Sequence, residues 1–215
     1  MKRLGIVAAL ALVVTVGGVY ATWNYANKDV ETATATYKVS LSGLGTETQK
    51  GSLKVVGSSH NLKVDDIGGY KAGLVCDAAG KFTVTFEAKS AADGVAQDVI
   101  DNGIHLKWYV ECVLNSNVTD VNGDGEVTYL DLQYKNTPVF AVDSSETIID
   151  RQDYTTKSGS TFTYEIPVSE VMAKLTLGDF VLDERSEYDA FEDVLELCTF
   201  HVHVLESATG PVVTP

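Results

Sequence analysis

The run Asp120-Val121-Asn122-Gly123-Asp124-Gly125-Glu126-Val127-Thr128-Tyr129-Leu130-Asp131 spaces its oxygen-bearing side chains as a calcium loop does. They stand at loop positions 1, 3, 5, 9 and 12, with glycine at 6 and an aliphatic residue at 8. A hard divalent cation takes about six to eight oxygens, and Gly125 lets the backbone wrap so that Glu126 can offer its carbonyl. The candidate metal ligands are therefore Asp120, Asn122, Asp124, Glu126, Thr128 and Asp131. The expected ion is Ca2+, bracing a loop rather than signalling. A tight hairpin turn at Asn122-Gly123-Asp124-Gly125 is the competing reading, because these residues tolerate positive φ. Turn chemistry alone does not require Asp120 and Asp131 at the flanks.

Other chemistry-bearing residues are more scattered. His201 and His203 lie two apart on the outward phase of an alternating segment, a spacing that can ligate zinc. No third ligand is evident nearby: His60 and His105 are remote in sequence and no H-E-x-x-H occurs, so exposed strand histidines are the simpler expectation. There is no G-x-S-x-G elbow, and none of Cys76, Cys112 and Cys198 sits in a motif that marks a reactive thiol. The acidic stretch Asp179, Asp183, Glu184, Glu187, Asp189, Glu192 and Asp193 contains enough carboxylates for glycoside cleavage, but such a run is usually a solvated face. No catalytic residue and no organic-cofactor site is assigned, and the chain is expected not to be an enzyme. Asn117-Val118-Thr119 fits a glycosylation sequon.

The elements that would hold these residues are strands. Apolar residues recur at every second position in Ala33 to Leu41, Phe82 to Ala88, Ile104 to Leu114, Phe162 to Val168 and Cys198 to Val204, with a shorter run beginning at Leu53 and Val55. In the clearest case Ile104, Leu106, Trp108, Val110, Cys112 and Leu114 face one way, and His105, Lys107, Tyr109 and Glu111 the other. Helical signals are short: Ala91 to Ile100, Ser169 to Leu175 with a serine cap, and Glu187 to Leu197. The expected fold is all-β, an antiparallel β-sandwich, jelly-roll-like, with a few short helices. With three cysteines, at most one internal bridge can form. Cys112 with Cys198 is the first pairing to expect, and buried free thiols are the alternative.

The amino terminus supplies the organisation. Lys2 and Arg3 precede an uncharged run from Leu4 to Ala21 that ends in small residues, which is the pattern of a secretory signal peptide over residues 1–21. Val19 and Ala21 place the cut after Ala21; an uncleaved anchor is the other reading of so long an apolar run. Residues 22–215 are then a single sandwich domain, with 207–215 a flexible tail. Removing the leader costs two positive charges from a chain already at −14. That acidity disfavours phosphate backbones and anionic lipid, so neither nucleic acid nor, after cleavage, a membrane is an expected partner.

The leader exit Gly17-Gly18-Val19-Tyr20-Ala21, followed by Thr22-Trp23-Asn24-Tyr25, resembles those cut by SipW-type signal peptidase. The chain as a whole is similar to the TasA/camelysin family of secreted bacterial surface and biofilm-matrix proteins. That resemblance implies a jelly roll, an extracellular location and self-association, in some members into fibres by strand exchange. Thr22 to Thr36, with Trp23 and Tyr25 as anchors, is the donor segment it implies; pairing within its own subunit is equally open. Some camelysins are described as metalloproteases, and the absence of a zinc-protease motif speaks against carrying that activity across. A surface adhesin is the remaining reading. Asp131 at loop position 12 resembles dockerin loops, but this chain has a single such loop, entered from a strand, so cohesin binding is not expected.

Overall fold

A computed structural model describes residues 35–41, 50–56, 61–64, 74–76, 80–181, 185–208 and 210. The leader, the arm from Thr22 to residue 34 with Trp23 and Tyr25, His60, Asp183, Glu184 and most of the tail lie outside them. The described residues begin with β1 (Ala35–Thr36), β2 (Lys38–Leu41), β3 (Gly51–Val56), β4 (Asn61–Val64), β5 (Leu74–Cys76) and β6 (Lys81–Ala88). A 3-10 turn at Ala91–Asp93 and helix α1 (Gln97–Asn102) lead into β7 (Leu106–Leu114). A long loop ending in a second 3-10 turn, Tyr129–Asp131, reaches the short strands β8 (Gln133–Tyr134), β9 (Thr137–Pro138), β10 (Ala141–Val142), β11 (Thr147–Ile149) and β12 (Thr156–Ser158). Then come β13 (Thr161–Pro167), α2 (Val168–Ala173), β14 (Leu175–Thr176), α3 (Arg185–Leu195) and β15 (Cys198–Glu206).

Two four-stranded sheets make an all-β sandwich, one ordered β11-β7-β15-β2 and the other β12-β13-β6-β3. Counting only the strands of these two sheets, the consecutive pairs β3/β6, β7/β11 and β12/β13 each stay within one sheet, and successive pairs alternate between the two. Among the described residues every pairing is antiparallel except that of β15 with β2, which is parallel and runs from His201↔Lys38 to Val204↔Leu41. Smaller sheets, β1-β4-β5, β10-β14 and β8-β9, flank this frame. Lys135 and Asn136, both at positive φ (51° and 64°), turn the β8–β9 hairpin as a primed turn without glycine.

Alternation does the packing. Phe82, Val84 and Phe86 of β6, Phe162, Tyr164 and Ile166 of β13, Leu106, Trp108 and Val110 of β7, and Phe200, Val202 and Val204 of β15 are all buried in one continuous core. Phe200 sits at its centre, 5.3 Å from the Phe140 ring edge-on and 6.1 Å from Tyr37. The Tyr164 hydroxyl bonds to the carbonyls of Ile104 (3.2 Å) and Arg151 (3.1 Å) at one end of the sandwich, and burial pushes its pKa up to about 12. Gly103 lies against this hydroxyl at φ +75°, and a Cβ there would come within 2.5 Å of it, so no other residue fits without displacing Tyr164.

The helices are as short as the sequence suggests, with altered starts. Gly94 at φ +80° splits the first into a 3-10 turn and α1. The second has no serine cap: it begins at Val168, one residue before Ser169. Pro167, at φ −61°, ends the β13 ladder and leads straight into the helix. No helix among the described residues is long and apolar enough to cross a membrane.

If alternation rather than composition places the core, neighbours on one strand must differ sharply in cost. Phe200→Ala should destabilise by about 3–5 kcal/mol in urea unfolding, whereas Thr199→Ala should stay within about 0.5 kcal/mol. Equal losses at the two positions would contradict the assigned faces.

Candidate functional site

The acidic loop leaves β7 and returns at β8, with no strand pair closing it, so it is not a hairpin turn. Its glycines do take the left-handed region, Gly123 at φ +77° and Gly125 at φ +90°. The side-chain oxygens organise the backbone. Asp120 accepts from the N–H of Gly123 (2.6 Å) and of Gly125 (2.9 Å). Asn122 accepts from Asp124 N–H and Asp124 from Glu126 N–H, each at 2.8 Å. Asp131 closes the loop: one carboxylate oxygen accepts from Val121 (2.8 Å) and Asn122 (3.1 Å), the other from Thr128 (2.8 Å). Thr128 caps the following 3-10 turn, accepting from Leu130 N–H.

Asp131 is almost fully buried, and among the described residues it has no cationic partner. Its charge is held by backbone dipoles. The Thr128 N–H, followed by those of Asn122 and Val121, holds its carboxyl below the ordinary 3.8 despite the opposing effect of burial. Asp120, Asp124 and Glu126 are exposed and likewise have no lysine or arginine partner among the described residues. The donor set is made of oxygen alone, which suits a hard dication. The loop carboxylates are nevertheless not the group gathered closely enough to share one ion; that group lies elsewhere among the described residues.

That group is Glu111, His201 and His203. The β7–β15 register puts His201 directly across from Glu111 and His203 across from Tyr109, all on the face away from the core. His203 Nε2 lies 2.6 Å from Glu111 Oε2, and the Tyr109 ring stacks on the His203 ring at 4.8 Å and 12°. Burial, then the nearby Lys38 and His203, lowers the His201 pKa. The sequence identified the two histidines but not the third member, which lies 90 residues earlier. The missing signal was the pairing: Glu111 and both histidines occupy the outward phase of their strands, and only the register brings them together.

The remaining candidates separate. Asp189 and Asp193 face solvent from α3 and Glu192 is turned inward, while Asp179 and Glu187 line a shallow open pocket with Tyr134, Lys135 and Phe180, so the described acidic residues are divided among different surroundings. Cys112 and Cys198 are both free. They are diagonal neighbours on the core face, Cys112 lying opposite Phe200 rather than Cys198. A hydrogen bond to the Cys198 thiol, reinforced by burial, pushes the Cys112 thiol well above its ordinary range. Asn117 of the sequon is exposed.

No protein-family model matches the chain, and no curated protein or solved structure is significantly similar to it. The molecule is thus an all-β sandwich defined by its own geometry, carrying an acid-rich loop at one end and a histidine–glutamate cluster on one sheet.

Because the pKa of Asp131 is depressed in the folded state, its contribution to stability is complete above about pH 5 and is lost as pH falls through 3.8 toward the lower folded value. Asp131→Asn should therefore lower Tm at neutral pH and show a smaller further drop between about pH 5 and 2. Asp98 and Asp143, whose carboxyls are also depressed, would supply the remaining acid sensitivity. Parallel Tm-against-pH curves for the two proteins would refute this role for Asp131.

Proposed function

We propose that this chain is a secreted, non-catalytic structural subunit of a cell surface or extracellular matrix, assembling through its amino-terminal arm and carrying a calcium-braced loop at Asp120 to Asp131. The observation that carries the assembly reading is the position of β2. It follows the arm almost directly, and among the described residues it has a hydrogen-bonded strand on one side only, that of β15. A four-residue edge strand presents backbone N–H and C=O groups that a further strand can satisfy, and Leu41 at its end is half exposed.

The donor segment Thr22 to Thr36 meets the described residues only at its last two positions. Ala35 and Thr36 pair within the same chain, against Leu62 and Asn61. Exchange therefore concerns the residues before them, with β1 and β2 as the point where the arm joins its own subunit. The leader pattern and the acidic composition support an extracellular setting.

Calcium is proposed on the oxygen-only donor set and on four carboxylates with no basic partner among the described residues. The ion would be held by Asp120, Asn122, Asp124, Thr128 and Asp131 with the Glu126 carbonyl. It would offset their mutual repulsion and stiffen the β7–β8 connection.

Two outcomes are expected. Protein beginning at Thr22 should form filaments or oligomers by electron microscopy and light scattering, while protein beginning at Tyr37 remains monomeric; identical behaviour removes the donor role. Calcium should raise the Tm of the parent and leave Asp124→Ala unmoved, and a parent without any shift disposes of the brace.

A further inference from the structure

We propose that Glu111, His201 and His203 form a binding site for one divalent transition-metal ion of the zinc class, seated on the outward face of the β7–β15 pair. The proposal does not rest on the calcium loop or on the assembly reading, for its ligands are other residues and differ in chemistry.

The geometry is fixed by the sheet rather than by flexible loops. Glu111 and His201 are register partners, and His203 is two residues further along the same face of β15. All three ligand atoms lie within 4.8 Å of one another, and the closest pair, His203 Nε2 and Glu111 Oε2, is 2.6 Å apart. Tetrahedral zinc with bonds of about 2.0–2.2 Å separates its ligand atoms by about 3.3 Å. The observed spacings bracket that value, so side-chain adjustments of about 1 Å would admit an ion without moving either strand.

Chemistry selects the class of ion. Two imidazoles and one carboxylate suit zinc and its neighbours, whereas calcium and magnesium seek oxygen-rich sites. The Tyr109 ring stacked on His203 holds the imidazole plane, as outer-shell contacts do in metal sites. Glu111 is half exposed and the two histidines partly so, which leaves an entry path. Three protein ligands leave a coordination position for water or an incoming donor.

Lys38 is the opposing charge. It lies on β2 as the register partner of His201, and its ammonium repels a cation at this face. Removing it should therefore tighten binding.

Metal-stripped full-length protein would be titrated with Zn2+ by calorimetry and with Co2+ by visible absorption. One equivalent should bind, giving the intense bands of four-coordinate cobalt. His201→Ala and His203→Ala should each weaken binding by about 100-fold or more, since outer-shell partners alone account for about 10- to 100-fold. Glu111→Gln should weaken it, Lys38→Ala strengthen it, and Asp124→Ala leave it unchanged. Persistence of the parent's affinity and cobalt bands in the His201→Ala/His203→Ala variant, or no binding by the parent, would overturn the site and leave a hydrogen bond between Glu111 and His203. Should the histidine variants fail to fold by circular dichroism, imidazole NMR signals of the parent decide. Co2+ must perturb His201 and His203 first; perturbation of His60 or His105 instead overturns the proposal.

Discussion

The pairing of β7 with β15, from Cys198↔Leu114 to Glu206↔Leu106, is the constraint on which the rest of the molecule depends. Side chains alternate with a period of two, so a slip of one residue would move Trp108, Val110, Phe200 and Val202 into water and carry Glu111, His201 and His203 into the core. Burying three ionisable groups while exposing large apolar ones opposes such a slip on both faces at once. The same register lets the sheet extend to β11 on one side and β2 on the other. Core and cluster are thus two faces of one pairing.

Much of this was legible in the sequence because period-two patterning is strong where one face of a strand is dry. The inward and outward residues of β6, β7, β13 and β15 follow directly from alternation. What the pattern cannot carry is which strand lies beside which. Glu111 and the two histidines each sit in plain view on an outward phase, yet their meeting depends on contacts between segments about 90 residues apart. The parallel attachment of β2 and the diagonal placement of the cysteines were hidden for the same reason. Local chemistry was also misleading where backbone restraints won: Pro167 starts α2 before Ser169 can cap it, and Lys135-Asn136 makes a left-handed turn without the usual glycine.

Buried charge is handled differently at Lys174 and at Asp131. Lys174, nearly enclosed, donates to Asp143 (3.3 Å), the Ser145 carbonyl (2.8 Å) and the Ser145 hydroxyl (3.1 Å), and lies 5.3 Å from the centre of the Trp108 ring. Its three donors are matched by three acceptors. Asp131 has only backbone N–H groups for company, which stabilise an anion without supplying a counter-charge. The first arrangement is electrically closed among protein groups. The second leaves a loop with surplus negative charge, one that salt or a bound cation would stabilise more than it would the remainder of the surface.

The two thiols on the core side of β7 and β15 give the sandwich an internal reporter. Cys198 is buried and Cys112 partly so, each beside the other, and the Cys112 thiol is held well above its ordinary range. An alkylating reagent in solution meets Cys198 only when the sheets part, so the pace of its modification measures how often this interior breathes.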